Sequence, residues 1–178
     1  MKSYLEIQVP IAYNAPWFEE LRSIMAGVPV KWQVGYYHIT IAFLNETPEN
    51  VDLCSLLEKH LSNGIAPMLT FDKLDAFTTW GGMHIINLTA TNIPANFLSL
   101  TAAIRSDMKD VGCIIESDFL LHVTLGRVNE SNITLSNLQK MIGSVSIPPF
   151  NLMLEDVDYR EFRGKTIYET KLNKKNKL

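Results

Sequence analysis

Cysteine is scarce in this 178-residue chain: Cys54 and Cys113 are the only two. That leaves no disulfide framework and no CxxC step for a metal or a redox couple. Each sits in an apolar or helical-looking run, where a buried free thiol is the expectation. Also missing is an apolar stretch of the roughly 18 residues that would span a bilayer. The opening MKSYLEIQVP reads as a short strand with an acidic residue in it, not as a secretion signal. Positive charge is not in excess: Lys and Arg number 16 against 19 Asp and Glu, for a formal charge of −3. This argues against a protein that coats long stretches of duplex, where many phosphates are neutralised at once. A small anion or an RNA end, which needs only a few cations, stays within reach. Gly81-Gly82 is followed by neither a lysine nor a helix start, so it reads as a turn and not as a phosphate loop. The expectation is a cytoplasmic, soluble monomer without a membrane segment or cofactor.

What is present is apolar patterning, in a chain that is 47% hydrophobic and long enough to bury a real core. Period-2 alternation marks strands at 4–10, 36–44, 68–80, 83–91, around His122, at 149–159 and at 165–172. Helices are expected at 15–27, with Pro16, Glu19 and Glu20 near its start, and at 47–64, with Thr47 as N-cap and Pro48 in the first turn. Two more are expected at 92–112 and 134–143. Gly81-Gly82 and Arg163-Gly164 would turn two hairpins. A shift of 84 residues drops each element of the first half close to a counterpart in the second. The expected fold is therefore α+β. It is a single domain over 1–172 made of two pseudo-symmetric lobes, about 3–80 and 83–172, each a β-α-β-α-β repeat with helices outside. A cleft would lie between the lobes, and 173–178 would be a solvated basic tail.

That offset is set by the chain's most specific feature. YYHITIAFL (36–44) places His38 and Thr40 two apart on an apolar strand, and LLHVTLGRV (120–128) repeats the step with His122 and Thr124. Side chains two apart leave the same face of a pleat. With four histidines in the chain, chance yields two His-x-Thr steps only about a few times in a hundred. A pseudo-two-fold axis would set His38 and His122 facing each other across the cleft. Ile39, Ile41, Phe43, Val123 and Leu125 would then pack beneath against the helices. Two imidazoles, one neutral and one protonated near pH 6.5, suit acid–base chemistry at a phosphodiester beside a vicinal diol. Thr40 and Thr124 would donate to the non-bridging oxygens. Gly126 would let the substrate approach the backbone. Tyr36 shares the His38 face, whereas parity points Arg127 off the His122 face, though it could still reach a phosphate. Trp80 and Phe162, at matching hairpin turns, could sandwich a base. His84 is expected in packing and His60 solvated at a helix end. A zinc site would need a third ligand, and no Cys or further His has suitable spacing.

HITIAFL and HVTLGR resemble the paired motifs of the 2H phosphoesterase superfamily, in particular the LigT-like RNA 2′,3′-cyclic phosphodiesterases, formerly called 2′-5′ RNA ligases. The likeness covers nearly the whole chain in element order. It implies a bilobal α+β fold, a metal-independent site, and an RNA end or cyclic nucleotide as substrate. His38 would be donor to the leaving oxygen, His122 base toward water, and Thr40 and Thr124 phosphate ligands. Run in reverse, the same chemistry would ligate 2′-5′ bonds. The superfamily also includes enzymes of 2′-5′ linked or cyclic signalling oligonucleotides, and a non-catalytic RNA-end binder would keep the same fold. Leu121 stands where these enzymes often carry a proline.

Overall fold

The structure is a computed structural model that describes residues 1–174. In chain order the elements are β1 (Ser3–Gln8), α1 (Pro16–Ile24), β2 (Lys31–Trp32), β3 (His38–Glu46), α2 (Leu53–Leu61), β4 (Met68–Phe71), β5 (Lys73–Thr78) and β6 (Met83–Thr89). They continue with α3 (Ala95–Asp110), β7 (Ile114–Ile115), β8 (Val123–Asn129), α4 (Leu135–Ile142), β9 (Phe150–Met153), β10 (Asp156–Glu161) and β11 (Thr166–Lys171). Among the described residues, one large sheet runs β11-β10-β1-β3-β8-β6-β5, with β2 added to β8 and β7 to β3, while β4 and β9 form a separate pair. Neighbouring strands pair antiparallel throughout. The turn between β5 and β6 falls at residues 79–82, so a division near 80–83 cuts a hairpin. β10 and β11, from the end of the chain, return to the side of β1 and β3.

Helix starts follow their caps. Pro16 opens α1, where its missing N–H costs nothing, and Trp17, Phe18 and Leu21 bury one face. The second helix begins later than expected. Asp52, not Thr47, is its N-cap, accepting from the Ser55 amide at 3.1 Å and the Ser55 hydroxyl at 2.6 Å. Asp52 can satisfy two donors there, and residues 47–52 form an approach loop. Thr134 caps α4 as a β-region residue accepting from the Asn137 amide. The helices pack in pairs, α1 with α4 and α2 with α3. Phe18, Leu57, Phe97, Ile104 and Leu138 join Leu5, Ile39, Leu44, Val123 and Leu125 in one core.

Two long expected strands are each broken in two. The run 68–80 bends at Asp72, whose carboxylate accepts from the amide and hydroxyl of Thr91, and the run 149–159 breaks at Leu154-Glu155. Their first halves pair as β4 and β9, burying Phe71 against Phe150, while their second halves enter the large sheet. The basic tail is less free than expected at its root. Asn173 exchanges backbone hydrogen bonds with Gly64 and Ala66, and its side chain donates to Ser62. The rest of that segment, 175–178, lies outside the described residues. No helix among the described residues is long and apolar enough to cross a membrane.

Candidate active site

The motif strands meet at one point. Ile39 of β3 pairs with Val123 of β8, and beyond that bridge the strands diverge. β2 fills the opening on the β8 side and β7 that on the β3 side. Continuing the antiparallel register by one residue each way sets His38 across from Thr124 and Thr40 across from His122. All four side chains are half-buried, while Ile39 and Val123 between them are fully buried in the core behind. The apolar residues therefore form the back of the strands, and the polar ones stand on the front.

Both strands carry a bulge just past the threonine. β1 pairs Glu6 with Thr40 and then Leu5 with Ala42, leaving Ile41 out of the ladder. β6 pairs Asn87 with Thr124 and then Ile86 with Gly126, leaving Leu125 out. A bulge adds a residue and reverses the parity beyond it. This corrects two expectations. Phe43 comes to the front, stacked near Tyr4 with centroids 6.3 Å apart, and does not pack beneath. Arg127 also comes to the front, close enough that its charge disfavours protonation of both His38 and His122. Arg105, itself buried, donates to the carbonyl of the bulged Ile41 at 2.9 Å and to that of Ser117.

Gly126 serves β2 and not a substrate. A Cβ there would stand 2.8 Å from both the Trp32 ring and Val30. Gly126→Ala is expected to overpack this contact and cost about 1–3 kcal/mol, read as a lower urea midpoint at unchanged m-value.

The two histidines are held differently. His122 Nδ1–H donates to the Leu120 carbonyl at 3.0 Å, because a carbonyl only accepts; that leaves the Nε2 lone pair free. Its ring meets Phe77 edge-on at 5.1 Å, and burial followed by Arg127 lowers its proton affinity. Among the described residues His38 Nδ1 is buried without a partner, and Nε2 lies 3.4 Å from Oε2 of Glu6. Burial first, then the charges of His122, Arg127 and Arg160, push His38 down to about 4. Burial also pushes Glu6 up to about 7, against the opposing pull of Tyr36 and Arg160.

Two cavities flank His122. One of about 330 Å³ is lined by Thr40, Phe43, Phe77, Arg105 and His122. The other, of about 530 Å³, is lined by Phe77, Asn87, Thr89, Lys73 and His122. Both are of a size that takes a nucleotide. Among the other residues singled out from sequence, Tyr36 is in the site: its hydroxyl donates to Glu6 and its ring centre is 5.4 Å from that of His38. Phe162 is exposed and reaches the site edge-on through Phe43. Trp80 does not join them. It is fully exposed beyond Met83, which pairs with Asn129, five residues and roughly 16 Å along β8 from Thr124. His84 is buried and satisfied by Thr78 and the Ile133 carbonyl. His60 is not simply solvated: it pairs with Asp107 at 2.7 Å.

Missed from sequence were Glu6, Gln8, Asp158 and Arg160, which alternate on the front of β1 and β10 and close the His38 side. Their signal was the interruption of two strands by polar and charged residues at even spacing.

No protein-family model matches this sequence, and no curated protein matches it. Solved structures do. E. coli LigT complexed with 3′-AMP superposes with a TM-score of 0.57 over 97% of both chains at 18% identity. Kluyveromyces marxianus Usb1 gives 0.65 over 96% of this chain and 98% of its own at 8% identity. A protein described as a phosphoesterase gives 0.55 over 97% and 95% at 20% identity. The chain has their fold. The match over nearly the full length of each chain fixes an α+β architecture with a mostly antiparallel sheet.

Proposed function

We propose that the protein is a 2H-type phosphodiesterase that opens the 2′,3′-cyclic phosphate of an RNA end or nucleotide to a 2′-phosphate. In this reading it works as a cytoplasmic monomer without metal or cofactor, and its two lobes are a duplicated half-site. The observation that carries it is the bridge Ile39–Val123, which brings the two His-x-Thr strands together at one point. Among proteins with this fold, E. coli LigT is known in complexes with 3′-AMP and with NADP+, and Kluyveromyces marxianus Usb1 with uridine monophosphate. This supports a nucleotide in the cleft.

The free Nε2 of His122 takes a proton from water as the water oxygen attacks phosphorus. On the opposite side, Nε2–H of His38 gives a proton to the 3′ oxygen as its bond to phosphorus breaks. Each transfer is typically worth 10²–10⁴-fold. The hydroxyls of Thr40 and Thr124 hold the two non-bridging oxygens while charge builds on them. Arg127, turned to the front by the bulge, adds a positive charge for the phosphate. No step draws on a metal. Wild-type protein is therefore expected to convert 2′,3′-cyclic nucleotides to 2′-phosphates at an undiminished rate in excess EDTA. Loss of turnover with chelator, or a 3′-phosphate product, contradicts the reading.

A further inference from the structure

We propose that Glu6 is a positioning residue that stores the proton His38 delivers, passing it from Oε2–H to Nε2 of His38 when a phosphodiester anion enters the cleft. The catalytic half of this inference rests on the function proposed above. The geometry is particular to one side of the site. Glu6 is completely buried, its Oε2 makes no hydrogen bond among the described residues, and the His38 ring nitrogen Nε2 stands 3.4 Å from that oxygen. Its other oxygen, Oε1, accepts from the Tyr36 hydroxyl and lies 3.7 Å from the Arg160 guanidinium. On the other side of the site, the residue paired with Thr124 is Asn87, an amide that cannot titrate. The carboxyl thus belongs to His38 alone.

The groups that face Glu6 fix where the proton rests. Tyr4 of its own strand, Tyr36 before β3, His38 of β3, and Asp158 and Arg160 of β10 surround it, and Gln8 holds Asp158. Burial disfavours charge on both members of the pair: it holds the carboxyl up to about 7 and the imidazole down to about 4. Between about pH 4 and 7 the pair holds one proton, and that proton sits on Glu6. A buried imidazole this reluctant to charge could not act as a general acid from its own proton. A phosphodiester, with its negative charge beside the ring, reverses the preference. The proton moves to Nε2, and the carboxylate left behind is met by the Tyr36 hydroxyl and Arg160. As the 3′ oxygen leaves, Nε2 gives the proton up. His122 returns the proton taken from water to solvent, and Glu6 regains one through the partly exposed His38 ring. Protons balance over the cycle. The store is full well below pH 7, half empty near 7 and spent above it, so the alkaline limb of the rate profile belongs to Glu6.

The test is Glu6→Gln, which keeps the acceptor for Tyr36 and loses the titrating proton. In the free protein, followed by NMR of the His38 ring from pH 5 to 9, wild type is expected to show an inflection near 7 that Glu6→Gln abolishes. Tyr36→Phe, which removes a donor to the carboxylate, is expected to move that inflection to higher pH. With 2′,3′-cyclic nucleotide, Glu6→Gln is expected to lose tenfold or more in kcat at pH 7 with KM little changed, and its alkaline limb shifts to lower pH. Glu6→Asp recovers part of the rate. A His38 ring that titrates identically in wild type and Glu6→Gln overturns the proposal, as does a superimposable rate profile. Wild type that shows the Glu6-dependent inflection yet cleaves no cyclic nucleotide overturns the functional reading, while the shared proton stands.

Discussion

Alanine at position 122 is expected to lower kcat on a 2′,3′-cyclic nucleotide by 10²–10⁴-fold while leaving the fold intact. The ring is held from behind by one hydrogen bond to the Leu120 carbonyl and by an edge contact with Phe77, so its removal opens space at a cavity and not in the core. What is lost is the lone pair that takes the proton from water, and general-base terms of that kind carry 10²–10⁴. His38→Ala is expected to lose as much from the acid side. The double variant should be little worse than either single one, because residues that act in one step are far from additive. Thermal melts within a few degrees of wild type would separate this loss from unfolding.

Thr40→Val and Thr124→Val are each expected to lower kcat by about 10²-fold, the cost of removing one preorganised donor to a developing oxyanion. Valine keeps the branched shape and the strand preference, so the bridge Ile39–Val123 and the sheet register survive. Because the two threonines stand across from His122 and His38, each variant also tests the register directly. A strand slipped by one residue would turn a threonine to the core, and its replacement by valine would then raise stability without touching the rate. Steady-state kinetics with denaturant melts of both variants distinguishes the two outcomes.

The site could be found in the sequence because its parts repeat. His38 with Thr40, and His122 with Thr124, are short-range patterns, and a strand's period of 2 puts each pair on one face whatever the rest of the chain does. Legible too was the order of elements, since Pro16, Thr134 and Gly81-Gly82 mark local starts and turns. Less legible was anything decided by a partner strand. The bulges at Ile41 and Leu125 leave no mark in the apolar runs that contain them, so Phe43 was expected in the core, and Arg127 off the His122 face. The breaks at Asp72 and at Leu154-Glu155 depend on β4 finding β9 some 80 residues away. Glu6 was visible as an acid in a strand, but only the pairing of β1 between β3 and β10 makes it a buried neighbour of His38. Trp80 and Phe162 occupy matching turns in the sequence, yet only the second hairpin ends beside the front of β3.

The most direct test is the pH dependence of kcat/KM, from pH 5 to 9 in EDTA, for a 2′,3′-cyclic nucleotide with wild type, His38→Ala and His122→Ala. Two-histidine catalysis predicts a bell for wild type. His122→Ala loses the acidic limb, His38→Ala loses the alkaline limb, and each falls at least 10² below wild type at the optimum. Turnover that survives both replacements at a comparable rate, or a profile whose limbs neither replacement alters, would contradict it.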